Sequence, residues 1–135
     1  MRYLTLAEAL VVAETVTGME MRTLLRVAHL GLLDSALHAP QAGFGGVEFY
    51  PSFASKAAVL VVRLTRNHPL PDGNKRLAWQ CLMMFCAVNG YELRVSANDA
   101  VDWMLSIAAG ELGETDVAKW LSARLTPREP GIASS

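Results

Sequence analysis

One imidazole, one carboxylate, two carboxamides and two cations fall within ten residues, Asn67-His68-Pro69-Leu70-Pro71-Asp72-Gly73-Asn74-Lys75-Arg76, between two long apolar runs. An imidazole, whose ordinary pKa lies near neutrality, can take a proton from a hydroxyl, and a lone carboxylate beside phosphates is a natural Mg²⁺ ligand. His68 is therefore the candidate general base and Asp72 the candidate metal ligand. Pro69 and Pro71 are excluded from a helix interior and Pro-Asp-Gly is a turn signal, so the stretch reads as a tight loop closing the Phe53–Arg66 run. A helix then starts at Gly73 or Asn74. Its first turn offers unpaired N–H groups and the positive end of a helix dipole, which with Lys75 and Arg76 makes an anion site suited to phosphate. Cations at a helix start oppose the dipole, so their presence at 75 and 76 argues for a bound anion. A missing side chain at Gly73 suits a turn of positive φ and lets phosphate approach the backbone. Gly73, Asn74, Lys75 and Arg76 are thus the candidate phosphate-binding residues. No Gly-x-x-x-x-Gly-Lys-Ser/Thr stretch occurs, which excludes a P-loop enzyme at the level of motifs.

The elements that must hold this loop are legible on both sides. Ser52 is a plausible N-cap for a helix from Phe53 to Arg66, whose Ala57, Val59, Leu60, Val61, Val62 and Leu64 leave little polar surface. The helix from Asn74 to Asn89 is equally apolar and ends at Asn89-Gly90. Two buried helices meeting at the loop give the rigid scaffold that catalysis by positioning needs. Arg63 and Arg66, one turn before the loop, could lean towards the site.

Upstream, Gln41–Pro51 holds three glycines and three aromatics and reads as a loop or weak hairpin. Thr5-Leu6-Ala7-Glu8 has the capping-box form and opens a helix from Leu6 to about Val16, broken at Thr17-Gly18-Met19. Leu24–Leu30 is apolar on more than one face and ambiguous; Leu32–Leu37 reads as a short helix stopped near Pro40. Ser96-Ala97-Asn98-Asp99 is a second capping box, opening a helix that stops at Gly110, and Thr115 is expected to cap a last helix to about Leu125. The sum is an all-α compact bundle of about six helices in one domain, 1–125. The tail 126–135, with two prolines and no apolar period, is expected to be disordered. His29 and His38 read as structural, and Trp79, Trp103 and Trp120 as core.

Composition narrows the class further. A chain of 135 residues, 52% hydrophobic, fits one domain with a sizeable core. Net charge is −1, so no global field drives binding to nucleic acid or membrane, and direct nucleic-acid binding is not expected. Positive charge is instead local: Arg63, Arg66, Lys75 and Arg76 place four of the 12 cations within 14 residues. Cys81 and Cys86, five apart on one helix, would stand roughly 8–9 Å apart and point about 140° away from each other. That geometry closes no disulfide, so they read as buried thiols of a reducing cytosol. Arg63 interrupts the Ala57–Leu64 apolar run far short of a membrane span and the N-terminus has no signal-peptide pattern, so a cytoplasmic location is expected.

The loop resembles the signature of the Fic/Doc family, His-Pro-Phe-x-Asp/Glu-Gly-Asn-Gly/Lys-Arg, with Leu70 where Phe is usual. Lys75 in place of the second Gly, and Trp79 where adenylylating members carry a second Arg, make the closer likeness the Doc (death-on-curing) toxin branch. Leu30–Leu37, Phe44-Gly-Gly46, Tyr50-Pro51, Asn89-Gly-Tyr91 and Ala108-Ala-Gly110 match as well, leaving only the tail after about Leu125 outside the resemblance. It implies the all-α fold and nucleotide-dependent transfer onto a protein hydroxyl, with ATP and Mg²⁺. It also implies a target-binding flap at Phe44, Gly45, Gly46 and Val47, which would pair its backbone with the target. Doc-type members with this Lys are understood to present the γ-phosphate. The resemblance therefore implies a toxin kinase acting on a Thr or Ser of a translation factor, elongation factor Tu being the family's described target, and a Phd-type antitoxin as partner. Alternatives are a Fic-type adenylyltransferase and a catalytically silent partner-binding module, the latter suggested by the smaller Leu70.

Overall fold

A computed structural model describes residues 1–128. Helices α1 (Leu6–Thr17), α2 (Met21–Val27) and α3 (Leu30–His38) lead through a 3₁₀ turn (Ala39–Gln41) into a hairpin of β1 (Gly43–Phe44) and β2 (Val47–Glu48). Then come α4 (Phe53–Asn67), α5 (Asn74–Val88), β3 (Tyr91–Leu93), α6 (Ala97–Ala108), α7 (Glu114–Arg124) and β4 (Leu125–Pro127). The expected helical bundle is present, and the ambiguous 24–30 segment resolves into the end of α2 and the start of α3. His29 makes that division: its Nδ1 accepts from the Leu32 N–H at 3.2 Å and so caps α3.

Helix α4 is the axis of the fold. Ser52 caps it as expected, with Ser55 N–H donating to Ser52 Oγ at 3.1 Å. Ala57 through Val62, Leu64 and Thr65 are all buried, because α3, α5, α6 and α7 each pack against α4. Neighbours on several sides account for the unbroken apolar run Ala57–Val62, while Ser55, Arg63, Arg66 and Asn67 keep a partly exposed polar stripe. Helix α5 buries Leu77, Ala78, Cys81, Leu82, Phe85 and Cys86 against α4 and α1. Phe53 links the two helices to β3, 5.0 Å from the Phe85 ring and stacked 4.2 Å from Tyr91. The C-terminal end of the bundle is held by Trp103, which stacks on Trp120 at 3.9 Å and meets Trp79 edge-on at 6.3 Å.

Two expectations need correction. Thr126 and Pro127, read as the start of a disordered tail, belong to β4, which pairs antiparallel with β3 in the register Tyr91↔Pro127, Glu92↔Thr126 and Leu93↔Leu125. A proline at the end of an edge strand costs no ladder bond, so the composition that suggested disorder is compatible with pairing. The rest of that tail from residue 129 lies outside the described residues. Helix α7 is capped by Gly113, not Thr115: the Gly113 N–H donates to Asp116 Oδ2 at 3.1 Å, which puts Thr115 inside the first turn.

Cys81 and Cys86 are free and buried, and burial pushes both thiols up to about 12. Since the thiolate is the nucleophile, neither should be alkylated by iodoacetamide at mildly alkaline pH in the folded protein, whereas both should react in urea. Intact-mass spectrometry reads the difference, and modification of the native chain would contradict the packing described.

Candidate functional site

Helix α4 ends because His68 turns left-handed, with φ 49° and ψ 57°. It is the one non-glycine residue of positive φ among the described residues. An L-residue held there costs roughly 1–3 kcal/mol, so the conformation persists only where its surroundings impose it. Four contacts do so. Leu70, 4% exposed, is sunk into the core. Pro69 is buried, and its carbonyl accepts the His29 N–H at 2.7 Å. Asn67 Nδ2 reaches the Leu32 carbonyl at 3.4 Å. Finally, the Asn74 carboxamide closes on Leu70 from both sides: the Leu70 N–H donates to Asn74 Oδ1 and Asn74 Nδ2 donates to the Leu70 carbonyl, each at 2.9 Å. The loop between α4 and α5 is thereby a fixed object, and the exposed His68 stands on it.

Below the imidazole lies a cavity of about 400 Å³ whose lining includes Thr65, Asp72, Gly73, Asn74, Lys75 and Arg76. All the residues expected to bind phosphate and metal are thus brought together with His68. Gly73 is the N-cap of α5, at φ 84°, and with no side chain it cannot cap the helix. The first α5 bond from this end runs from the Leu77 N–H to the Gly73 carbonyl at 2.9 Å, so the preceding N–H groups have no intrahelical partner and remain for an anion. A Cβ at Gly73 would come 3.2 Å from Arg76 Nη2, the free end of an exposed side chain, and 3.4 Å from Thr17 Cγ2, an ordinary contact, so it is the positive φ and not crowding that calls for glycine here.

Lys75 and Arg76 are exposed. Arg76 Nη2 lies 3.8 Å from Asp72 Oδ2, but the side chains are 62% and 89% exposed, and such a surface pair contributes at most about 1 kcal/mol. Both groups can therefore turn to a ligand at little cost. Asn74 differs from expectation in how it can act: its carboxamide is committed to Leu70, so what it can offer a phosphate is its main-chain N–H. Arg63 and Arg66 serve elsewhere. Arg63 lies 3.7 Å from Glu114, and Arg66 donates to the Ile107 and Leu112 carbonyls, joining α4 to the end of α6.

A metal fits this site only in company. Among the described residues no three His, Cys, Asp or Glu side chains gather as a cation cage, and Asp72 is a single exposed carboxylate. Mg²⁺ keeps several waters and is commonly held by one or two carboxylates plus substrate phosphates, which is what Asp72 beside an anion site provides.

The flap segment forms the weak hairpin, with Gly43 paired to Glu48 and Phe44 to Val47. Gly45 and Gly46 at its tip have φ of 61° and 81°, the left-handed pair that a two-residue primed turn needs. Phe44 and Val47 are 82% and 67% exposed. These residues do not line the His68 cavity; Phe44–Glu48 with Gln41 and Gly43 line a shallow concavity of their own, about 330 Å³. Sequence reasoning missed what roots the hairpin: Lys56, 3% exposed on α4, donates to Glu48 Oε1 at 2.8 Å and to the Tyr50 and Pro40 carbonyls. A lysine amid the apolar face of α4 was the available signal.

Comparison with known proteins agrees with this geometry. Residues 3–86 match the model of the Fic/DOC family. Over 109 residues the chain is 38% identical to a protein of Mycolicibacterium smegmatis named Toxin Doc, an alignment spanning 79% of this chain and 84% of that relative.

The strain at His68 can be measured. His68→Gly should raise stability by roughly 1 kcal/mol, because glycine adopts φ 49° freely, whereas His68→Ala keeps the left-handed Cβ and should gain nothing. Urea unfolding midpoints decide; equal midpoints for the two variants would mean that no strain is stored there.

Proposed function

The chain belongs to the Fic/DOC family, and from that premise we propose that it is a Doc-like toxin that transfers the γ-phosphate of ATP to a Thr or Ser hydroxyl of a translation factor. The observation that carries the reading is an exposed, conformationally fixed His68 over a cavity that combines an uncapped helix N-terminus with Lys75 and Arg76. In this reading His68 takes the proton of the target hydroxyl. The freed oxygen attacks the γ-phosphorus, the bond to the β,γ-bridging oxygen breaks, and ADP leaves with that electron pair. The N–H groups at the start of α5, with Lys75 and Arg76, receive the charge on the transferred and adjacent phosphates. Gly73 lets them approach. Bound Mg²⁺, held by Asp72 and the phosphates, would supply charge neutralisation. There is little covalent work for the protein to do, so the rate rests on positioning and electrostatics.

Kinase chemistry over adenylylation is favoured by two side chains. Lys75 occupies the place of the second glycine of adenylylating members. Position 79, where those enzymes carry a second Arg, holds an indole packed edge-on against Trp103 and offers no charge to a γ-phosphate. The exposed hairpin at Phe44–Val47 suits β-augmentation by an extended target segment, with elongation factor Tu, the family's described target, as the translation factor. A Phd-type antitoxin is the expected partner, and the cytoplasm the expected compartment. No helix of the described residues is long and apolar enough to cross a membrane.

The test supplies cell extract with ATP labelled at the α- or the γ-phosphate. Label should reach a protein target from the γ position alone, require Mg²⁺, and fall by at least about 100-fold in His68→Ala. Label arriving from the α position would establish the adenylyltransferase instead. Label from neither, in extract with intact targets and any antitoxin removed, would make the chain a binding module.

A further inference from the structure

Lys56 is the one buried charged residue among the described residues. It lies one turn into α4, and each of its three N–H donors has an acceptor: Glu48 Oε1 at 2.8 Å, the Tyr50 carbonyl at 2.5 Å and the Pro40 carbonyl at 3.4 Å. All three acceptors belong to the stretch that enters, forms and leaves the hairpin. A buried ammonium is tolerated only when its donors are met, and an apolar residue of similar size would serve stability at this position at least as well. What the lysine adds is a directional hold. The hairpin has little else to hold it, since residues 43–49 are all exposed and none of their side chains is sunk in the core. Its main-chain bonds, between β1 and β2 and from the Phe49 N–H to the Ala42 carbonyl at 3.0 Å, are internal to it. A two-stranded hairpin left to such bonds is marginal in water.

We infer that Lys56 is a positioning residue for the protein substrate: its ammonium fixes the hairpin relative to His68, so that a target strand added at Phe44–Val47 brings its hydroxyl to the imidazole. The inference rests on the function proposed above and names the residue that registers the target. Helix α4 carries Lys56 near its start and His68 at its end, roughly 18 Å apart along the axis at 1.5 Å per residue. Hairpin and base therefore share one rigid reference. A second tie runs the same way: the Tyr50 hydroxyl donates to Glu114 at 3.3 Å, and Glu114 lies 3.7 Å from Arg63 of α4. An added strand takes its affinity from main-chain bonds to an ordered edge, and proton removal needs the hydroxyl within hydrogen-bond reach of the base. One ammonium serves both needs by holding the edge still. Its loss leaves α4, the His68 loop and the phosphate-binding turn in place and frees the hairpin, so the effect falls on the protein target and not on ATP.

The test is Lys56→Met in the full chain, which keeps the length of the side chain and removes its donors. Hydrogen–deuterium exchange over residues 42–50 should quicken by about tenfold or more, while α4 and α5 exchange as in the wild type. With γ-labelled ATP, Mg²⁺ and purified elongation factor Tu, KM for the protein should rise about tenfold or more, while KM for ATP and kcat at saturating protein stay within about twofold. Glu48→Ala, at an exposed position that leaves the core untouched, should raise the same KM by about threefold or more, and the double variant should go no further than Lys56→Met alone, because both act through one contact. If Lys56→Met does not fold, Glu48→Ala decides by the same two readouts. Unchanged exchange over residues 42–50, additive effects of the two substitutions, or a loss that falls on kcat or on KM for ATP overturns the positioning role while γ-transfer by the wild type stands. Absence of transfer by the wild type itself removes the function proposed above, and the positioning of its target with it.

Discussion

Two hydrogen bonds between the Asn74 carboxamide and the main chain of Leu70 are the constraint on which the site depends. The loop they close joins the two most buried helices, carries the one left-handed non-glycine residue among the described residues, and lies at the surface, where loops ordinarily relax. Packing fixes its ends through Leu64 and Leu77, both fully buried, but packing alone does not dictate a φ of 49° at His68. The carboxamide adds to the Pro69 and Asn67 contacts by acting as donor and acceptor to Leu70, whose main chain is thereby held two residues from His68. Burial of Leu70 and the clamp on its main chain support each other, so a residue smaller than phenylalanine still seats the histidine.

The electrostatics follow from the same junction. A helix beginning at a glycine with no cap leaves its first N–H groups open, and the two cations that follow would be unfavourable there in the absence of an anion. The helix start is therefore suited to the anion that the proposed function places there, and Asp72 offsets only part of the charge through a loose, exposed pair with Arg76. With a net charge of −1 overall, the positive charge available to the proposed nucleotide is local to this corner and not spread over the whole surface.

Much of this was legible in the sequence because it is local chemistry. The caps at Thr5, Ser52 and Ser96, the apolar runs of α4 and α5, and the breaks at Gly18 and Gly90 each act over a few residues, and each stands where the pattern put it. What was missed depends on partners distant in the chain. Strand β4 exists because Leu125–Pro127 finds β3 more than thirty residues away, and nothing within the segment announces that. Arg63 and Arg66 were drawn towards the loop by proximity in sequence, yet their side chains are claimed by Glu114, Ile107 and Leu112. Asn74 was read among the phosphate-binding residues, a role its main-chain N–H is free to take; the clamp of its carboxamide on Leu70 is local in sequence but shows only in three dimensions.

That clamp is also where the account is most exposed. In Asn74→Ala both bonds to Leu70 are lost while Gly73, Lys75 and Arg76 are untouched, and the initial rate of γ-phosphate transfer can be followed against ATP concentration. If the carboxamide acts by positioning His68, kcat falls by about 100-fold while KM for ATP barely moves, the signature of a displaced base beside an intact phosphate site. A rise in KM with kcat preserved would mean that Asn74 binds the nucleotide itself, and that the geometry of the loop is held by something else.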